Sequence, residues 1–119
     1  VRVSEGSWFE ALPERLRGEL ALVVSNPPYV AEAEVAELPE EVAAWEPMSS
    51  LVAGPTGLEA LSALLEEAPR WLAANGVAVL EMAPHQQESA VALARGAGFN
   101  QVEVSCDLAG RPRVLVGRV

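Results

Sequence analysis

Leu20-Ala21-Leu22-Val23-Val24-Ser25-Asn26-Pro27-Pro28-Tyr29 decides how the rest of this 119-residue chain is read. The run from Glu19 to Ser25 is apolar without alternation, the pattern expected of a strand buried between helices on both faces of a sheet. It stops at an Asn-Pro-Pro-aromatic corner. Pro27 and Pro28 have no backbone N–H and hold φ near −65°. The residue before each proline is pushed to extended geometry, so Asn26 and Pro27 are excluded from a helix.

A corner of this kind offers two acceptors in a fixed arrangement, the side-chain carbonyl of Asn26 and the backbone carbonyl of Pro27. An amide or aromatic amine nitrogen has two N–H donors to match them, and its lone pair is delocalised and poorly nucleophilic. Holding both hydrogens aligns that nitrogen with an electrophilic methyl group and favours the charge that develops on it. Tyr29 can lie against the flat face of such a group, a contact worth about 1 kcal/mol. A plain strand-ending turn is the alternative, because Asn-Pro is a common turn starter.

Outward from the corner, the pattern alternates between strands and helices and predicts an α/β sheet. Val1 to Val3 reads as the tail of a strand. Ser7 and Glu10 have capping-box spacing before a short helix over Trp8 to Leu16, which Pro13 disturbs. Glu32 to Ala44 reads as one or two short helices broken at Pro39, its charges forming a solvated face. Met48 to Gly57 reads as a loop. Thr56 and Glu59 again have capping-box spacing, and the helix that follows places Leu58, Leu61, Leu65, Ala68 and Leu72 on one face. Asn75-Gly76 is expected to end it. Gly76 to Met82 reads as a second buried strand and Pro84 to Ala97 as a helix closed by Gly98. Asn100 to Cys106 and Arg113 to Val119 read as an antiparallel pair joined through Gly110 and Pro112.

Half the residues are hydrophobic, enough for a packed core in one domain. No apolar run approaches the ~20 residues of a membrane span, and no signal-peptide pattern opens the chain. The single Cys106 excludes an internal disulfide and suits a reducing, cytoplasmic setting. Net charge is −9, and all eight basic residues are arginines. With no basic cluster, nucleic acid is a poor expected partner. One histidine, His85, and one cysteine without ligand spacing give no metal site. His85 opens a helix and reads as a surface residue rather than a general base.

Taken together, these residues resemble the HemK-type release factor glutamine N5-methyltransferases. The resemblance runs from Ser7-Trp8 through Asn26-Pro27-Pro28-Tyr29 to Trp45-Glu46-Pro47 and Leu51-Val52-Ala53-Gly54. It continues with Gly57-Leu58, Leu80-Glu81, Gln86, Gly98-Phe99, Asp107, Gly110 and Arg113-Val114. The Asn-Pro-Pro-Tyr corner is shared by many amino-methylating enzymes, and the Glu-Pro and Leu-Val-Ala-Gly stretches narrow the likeness. It implies an α/β fold, a Rossmann-like class I methyltransferase sheet, with S-adenosyl-L-methionine as cosubstrate and no metal. It implies a cytoplasmic enzyme of translation termination that methylates a glutamine side-chain nitrogen in peptide-chain release factors. Carried over by position, Asn26, Pro27, Pro28 and Tyr29 are the catalytic and substrate-binding residues, and Trp8 and Asn26 contact the donor. Glu46, Glu81, Gln86 and Arg113 match family positions without an assigned role.

The pattern also departs from the family. No Gly-rich loop after a first strand and no acidic ribose-binding residue after a second are present. Residues 1–119 are therefore expected to be the C-terminal part of a single catalytic domain, its donor-binding first half and N-terminal domain absent. The expected sheet is incomplete: strands four, five, seven and six of the family plus a remnant of strand three, with an antiparallel C-terminal pair. Such a segment is expected to be inactive alone and to self-associate through the open edge at Leu20 to Val24. Two rival functions remain: N-methylation of an exocyclic amine in DNA or RNA, and a non-catalytic oligomerising module.

Overall fold

A computed structural model describes residues 1–119. Four strands form the main sheet: β1 (Leu20–Ser25), β4 (Leu72–Glu81), β5 (Gln101–Cys106) and β6 (Pro112–Arg118). Their spatial order is β1-β4-β6-β5, with β1 parallel to β4 and β6 antiparallel to both of its neighbours. This is the contiguous order expected for strands four, five, seven and six. A separate two-stranded sheet pairs β2 (Val30–Ala31) with β3 (Val52–Gly54). Between them lie the short helices α1 (Glu40–Trp45) and α2 (Met48–Leu51), and a 3-10 turn over Glu32–Glu37.

Two longer helices cover the sheet, α3 (Glu59–Trp71) and α4 (Gln87–Gly96). Thr56 and Glu59 organise the entry to α3. Glu59 Oε1 accepts from both the N–H and the hydroxyl of Thr56 at 2.7 Å, and the Leu58 N–H donates to Thr56 Oγ1 at 3.2 Å. The bonds from Thr56 hold the Glu59 carboxyl below the ordinary carboxylate range. At its other end, α4 closes through Gly98 at φ 103°, a left-handed conformation that favours glycine, and the Phe99 N–H reaches back to the Ala94 carbonyl at 3.2 Å.

Leu61, Leu64, Leu65, Ala68 and Trp71 of α3 join Ala90 and Ala94 of α4 over Ala78, Leu80 and Leu115 in one buried cluster. Alternation along β4 sends Ala78 and Leu80 inward, both fully buried, while Val77 and Val79 are only half-buried. Phe9, stacked on Trp71 at 5.6 Å between ring centroids, closes one end of this core.

Several sequence expectations need correction. Val1–Val3 is exposed coil, so there is no remnant of a third strand; these residues have no neighbouring strand to pair with. The helix expected over Trp8 to Leu16 is two 3-10 turns, Trp8–Ala11 and Glu14–Leu16, separated where Pro13 takes extended geometry. The Ser7 side chain caps nothing. β1 is not buried on both faces: Leu22 and Val24 are 55% and 67% exposed, because they share the face of Val77 and Val79, opposite the one that α3 and α4 cover. The stretch read as a loop from Met48 contains α2 and β3. α3 ends at Trp71, not at Asn75-Gly76, two residues after Pro69 has removed an interior N–H. Asn75, at φ 63°, and Gly76 instead form an excursion within β4, where the pairing with β1 jumps from Leu20–Leu72 to Leu22–Val77.

Leu80 sits at the centre of the sheet with no exposed surface. Leu80→Ala is expected to lower unfolding stability by about 2–5 kcal/mol, read as a lower urea midpoint at unchanged slope.

Candidate active site

The C-terminal ends of β1 and β4 lie side by side, and the start of β6 flanks β4, with Glu81 opposite Val114. The Asn26–Tyr29 corner leaves β1 at this rim. Asn26 is exposed, Pro27 is buried, and Pro28 and Tyr29 are half-buried. The chain then enters β2, whose two residues are both buried.

Tyr29 reaches across to β4. Its hydroxyl donates to Glu81 Oε1 at 3.4 Å. Partial burial pushes the Tyr29 hydroxyl pKa up, the Glu81 charge adds to the rise, and Arg113 opposes it. Arg113 is itself held near Asp107, with Nε 3.6 Å from Oδ2. Asp107 anchors the β5–β6 turn by accepting the N–H groups of Ala109 and Arg111 at 2.9 and 3.0 Å, and it pairs with Arg111 Nε at 3.1 Å. The backbone bond from Arg111 is the main reason its carboxyl lies below the ordinary carboxylate range. Glu81, as acceptor, and Arg113, as a nearby positive charge paired with Asp107, thus both act on the Tyr29 hydroxyl.

A depression of about 240 Å³ lies against Tyr29, walled by Val30, Leu38 and Ala83 with Glu34, Glu37 and His85. Trp8 lies elsewhere. It takes a left-handed φ of 46°, a costly conformation for a tryptophan, and is 42% exposed. Its ring lines an apolar cleft of about 350 Å³ with Leu20, Leu22, Val24 and Ser25 of β1 and with Leu64. Trp8 and Tyr29 therefore occupy separate hollows, connected through Ser25 and the corner. His85 is exposed, with Nε2 3.9 Å from Glu34 Oε1. Cys106 is an exposed free thiol.

Two residues at this rim had no role in the sequence reading. Glu81 is the hydroxyl partner of Tyr29, and only its position at a strand end hinted at that. Gln86 is 3% exposed and bonds to the corner itself. In the sequence it stood out only as a position shared with the family; its place three residues after Ala83, the spacing at which a side chain turns back to a preceding N–H, was a further signal.

Because Tyr29 ionises at higher pH in the folded chain than its ordinary 10.0, its contribution to stability is complete below that value. The contribution is lost as pH rises through the folded value. Tyr29→Phe should therefore flatten the loss of stability between pH 9 and about 11 relative to the parent, measured by urea unfolding across that range.

No protein-family model matches the chain. Among curated proteins, the release factor glutamine methyltransferase of Cereibacter sphaeroides is 40% identical over 119 residues, covering 100% of this chain and 41% of that protein. Those of Synechocystis sp. and Salmonella typhimurium are 34% and 35% identical, each covering 99% of this chain and 40% and 41% of theirs. Among solved structures, the antibiotic-resistance methyltransferase Kmr superposes with a TM-score of 0.50 at 17% identity, covering 95% of this chain and 56% of that one. That likeness gives the fold, an incomplete Rossmann-like class I methyltransferase sheet. The 119 residues are homologous along their whole length to release factor glutamine methyltransferases, and they span about two fifths of the length of those relatives.

Proposed function

We propose that this chain is the amide-binding part of an enzyme that transfers a methyl group from S-adenosyl-L-methionine to a glutamine side-chain nitrogen in peptide-chain release factors. The observation that carries the reading is the end-to-end likeness to proteins named for that activity. The position of the corner at the C-terminal rim of a parallel strand pair supports it, since sheets of this class bind ligands there. Residues 1–119 would form the C-terminal part of one catalytic domain, with the donor-binding first half and an N-terminal domain contributed by residues outside them. The same reading, an enzyme acting on release factors, sets it in the cytoplasm.

In this reading the Asn26 side-chain carbonyl and the Pro27 backbone carbonyl accept the two N–H groups of the glutamine amide. Pro28 stiffens the turn, and the Tyr29 ring lies against the amide plane. Asn26, exposed at the end of β1, faces both substrate and donor. The bound cosubstrate supplies an electrophilic methyl on a sulfonium. Trp8 and the apolar walls of its cleft fit the flat face of an adenine, while no carboxylate lines the cleft to take a ribose. Proton removal needs no dedicated base, because the amide proton becomes acidic once nitrogen carries the methyl.

Incubating the full-length protein with methyl-labelled donor and either a release factor or nucleic acid tests the substrate. Label on a release-factor glutamine is expected; label confined to nucleic acid would overturn the assignment. Asn26→Ala removes one acceptor from the transition state and is expected to cost about 2–4 kcal/mol in turnover. Near-parental turnover would remove Asn26 from the mechanism.

We also propose that the 119-residue chain alone pairs with a second copy through β1. Leu20–Ser25 is an open edge with no charged residue or proline, and Leu22 and Val24 project into solvent. Each copy carries −9, so salt should strengthen the association by screening repulsion. Sedimentation velocity should show a dimer that grows with concentration and salt and is lost in Val24→Lys; a concentration-independent monomer would exclude pairing.

A further inference from the structure

A corner with two prolines lacks the means to hold itself. Pro27 and Pro28 contribute no N–H, and no backbone hydrogen bond closes a turn within Asn26–Tyr29. Its placement must come from donors elsewhere in the fold. Gln86 supplies them: Nε2 donates to the Tyr29 carbonyl at 3.0 Å and to the Gly57 carbonyl at 3.1 Å. Its Oε1 accepts the Ala83 N–H at 3.0 Å. Both amide hydrogens and the oxygen are engaged in a side chain only 3% exposed. Three connections meet on this one carboxamide: the corner after β1, the turn before α3, and the turn between β4 and α4.

Gly57 makes room for that meeting. Its φ is +83°, and a Cβ there would lie 2.7 Å from the Tyr29 carbonyl oxygen and 3.0 Å from Gln86 Nε2. Any larger residue would separate the corner from its clamp.

We propose that Gln86 is a positioning residue for methyl transfer: by gripping the Tyr29 carbonyl it sets where the Asn26 and Pro27 acceptors stand. The catalytic meaning rests on the proposed function; the clamp itself does not. A purely structural cap would need only the bond from Ala83 to Oε1, and glutamate makes that bond as well as glutamine. Only an amide can also donate to two carbonyls. Gln86→Glu therefore keeps the cap and turns a carboxylate onto the Tyr29 and Gly57 oxygens.

Tyr29 is the chain's one tyrosine, so incorporated fluorotyrosine gives a single fluorine resonance that reports the corner directly. At pH 8, Gln86→Glu is expected to move that resonance toward the free-tyrosine position while far-UV circular dichroism keeps the parental sheet signal. Lowering the pH protonates the introduced carboxyl and restores one donor, so the resonance should return part of the way; Gln86→Leu should show no return. Gly57→Ala, which leaves Gln86 intact, should displace the resonance in the same direction and provides the test should the carboxylate variant fail to fold. In the full-length enzyme, kcat on a release factor should fall about 10–100-fold. An unmoved resonance in both Gln86→Glu and Gly57→Ala would sink the clamp. A displaced resonance with parental kcat would overturn the positioning role. A displaced resonance in the variants, with a parent that never methylates glutamine, would leave the clamp standing and refute the proposed function instead.

Discussion

A turn whose two central residues carry no N–H must be held largely from outside, and that constraint organises this end of the molecule. Consecutive prolines stiffen Asn26–Tyr29 internally, but Pro27 and Pro28 have no N–H to bond to their neighbours. The compensation is a buried carboxamide, all of whose polar atoms are used. Leaving any of them unpaired at 3% exposure would cost about 1–3 kcal/mol, so Gln86 has little freedom to adopt another arrangement. Rigidity within the turn and rigidity of its mounting therefore have different sources. The first is visible in Pro27-Pro28; the second arises only when three separated segments converge.

That distinction accounts for what the sequence revealed. The strands of the main sheet and the pairing of Gln101–Cys106 with Pro112–Arg118 were legible because local composition, alternation and the Gly110 turn encode them, whereas the short pair β2 and β3 was not. The helices were legible from the spacing of Leu61, Leu65 and Ala68, and from the glycine that closes α4. Elements defined by absent or distant partners were not. Leu20–Val24 has the composition of a doubly covered strand, yet its exposure depends on which neighbours are present. Val1–Val3 has strand composition and no strand to join. At the rim, the corner could be seen in four adjacent residues, whereas the Tyr29–Glu81 bond spans 52 positions and the Gln86–Tyr29 bond 57. Neither leaves a periodic trace.

The one-sided core follows the same logic. α3 and α4 share a face of the sheet and bury Ala78, Leu80 and Leu115, so the helices alone cannot shield Val77, Val79 or the β1 edge. Trp8 extends this apolar surface beside β1 at the expense of a left-handed backbone. Strain of about 1–3 kcal/mol is tolerated where surrounding structure over-determines it, and the stacked Phe9–Trp71 pair next to it supplies that anchoring. The neighbouring phenylalanine is buried in the core while the tryptophan projects outward, so the turn divides adjacent aromatics between packing and surface.

In the proposed reaction this division has a consequence for geometry. The Trp8 cleft and the hollow beside Tyr29 are separate, and Ser25 to Tyr29 is the stretch of chain between them. A donor with its flat base against Trp8 and an amide against Tyr29 would meet across Asn26, the exposed residue in that stretch. Two substrates aligned across a single short turn need only that turn to be rigid, because an error in its placement moves both acceptors together relative to the donor. The stiffness of the imino acids would be wasted on a loose mounting. For this reason the buried amide at Gln86 matters more to the proposed chemistry than Glu81 and Arg113, which act on the hydroxyl of Tyr29 and not on the backbone that carries the acceptors.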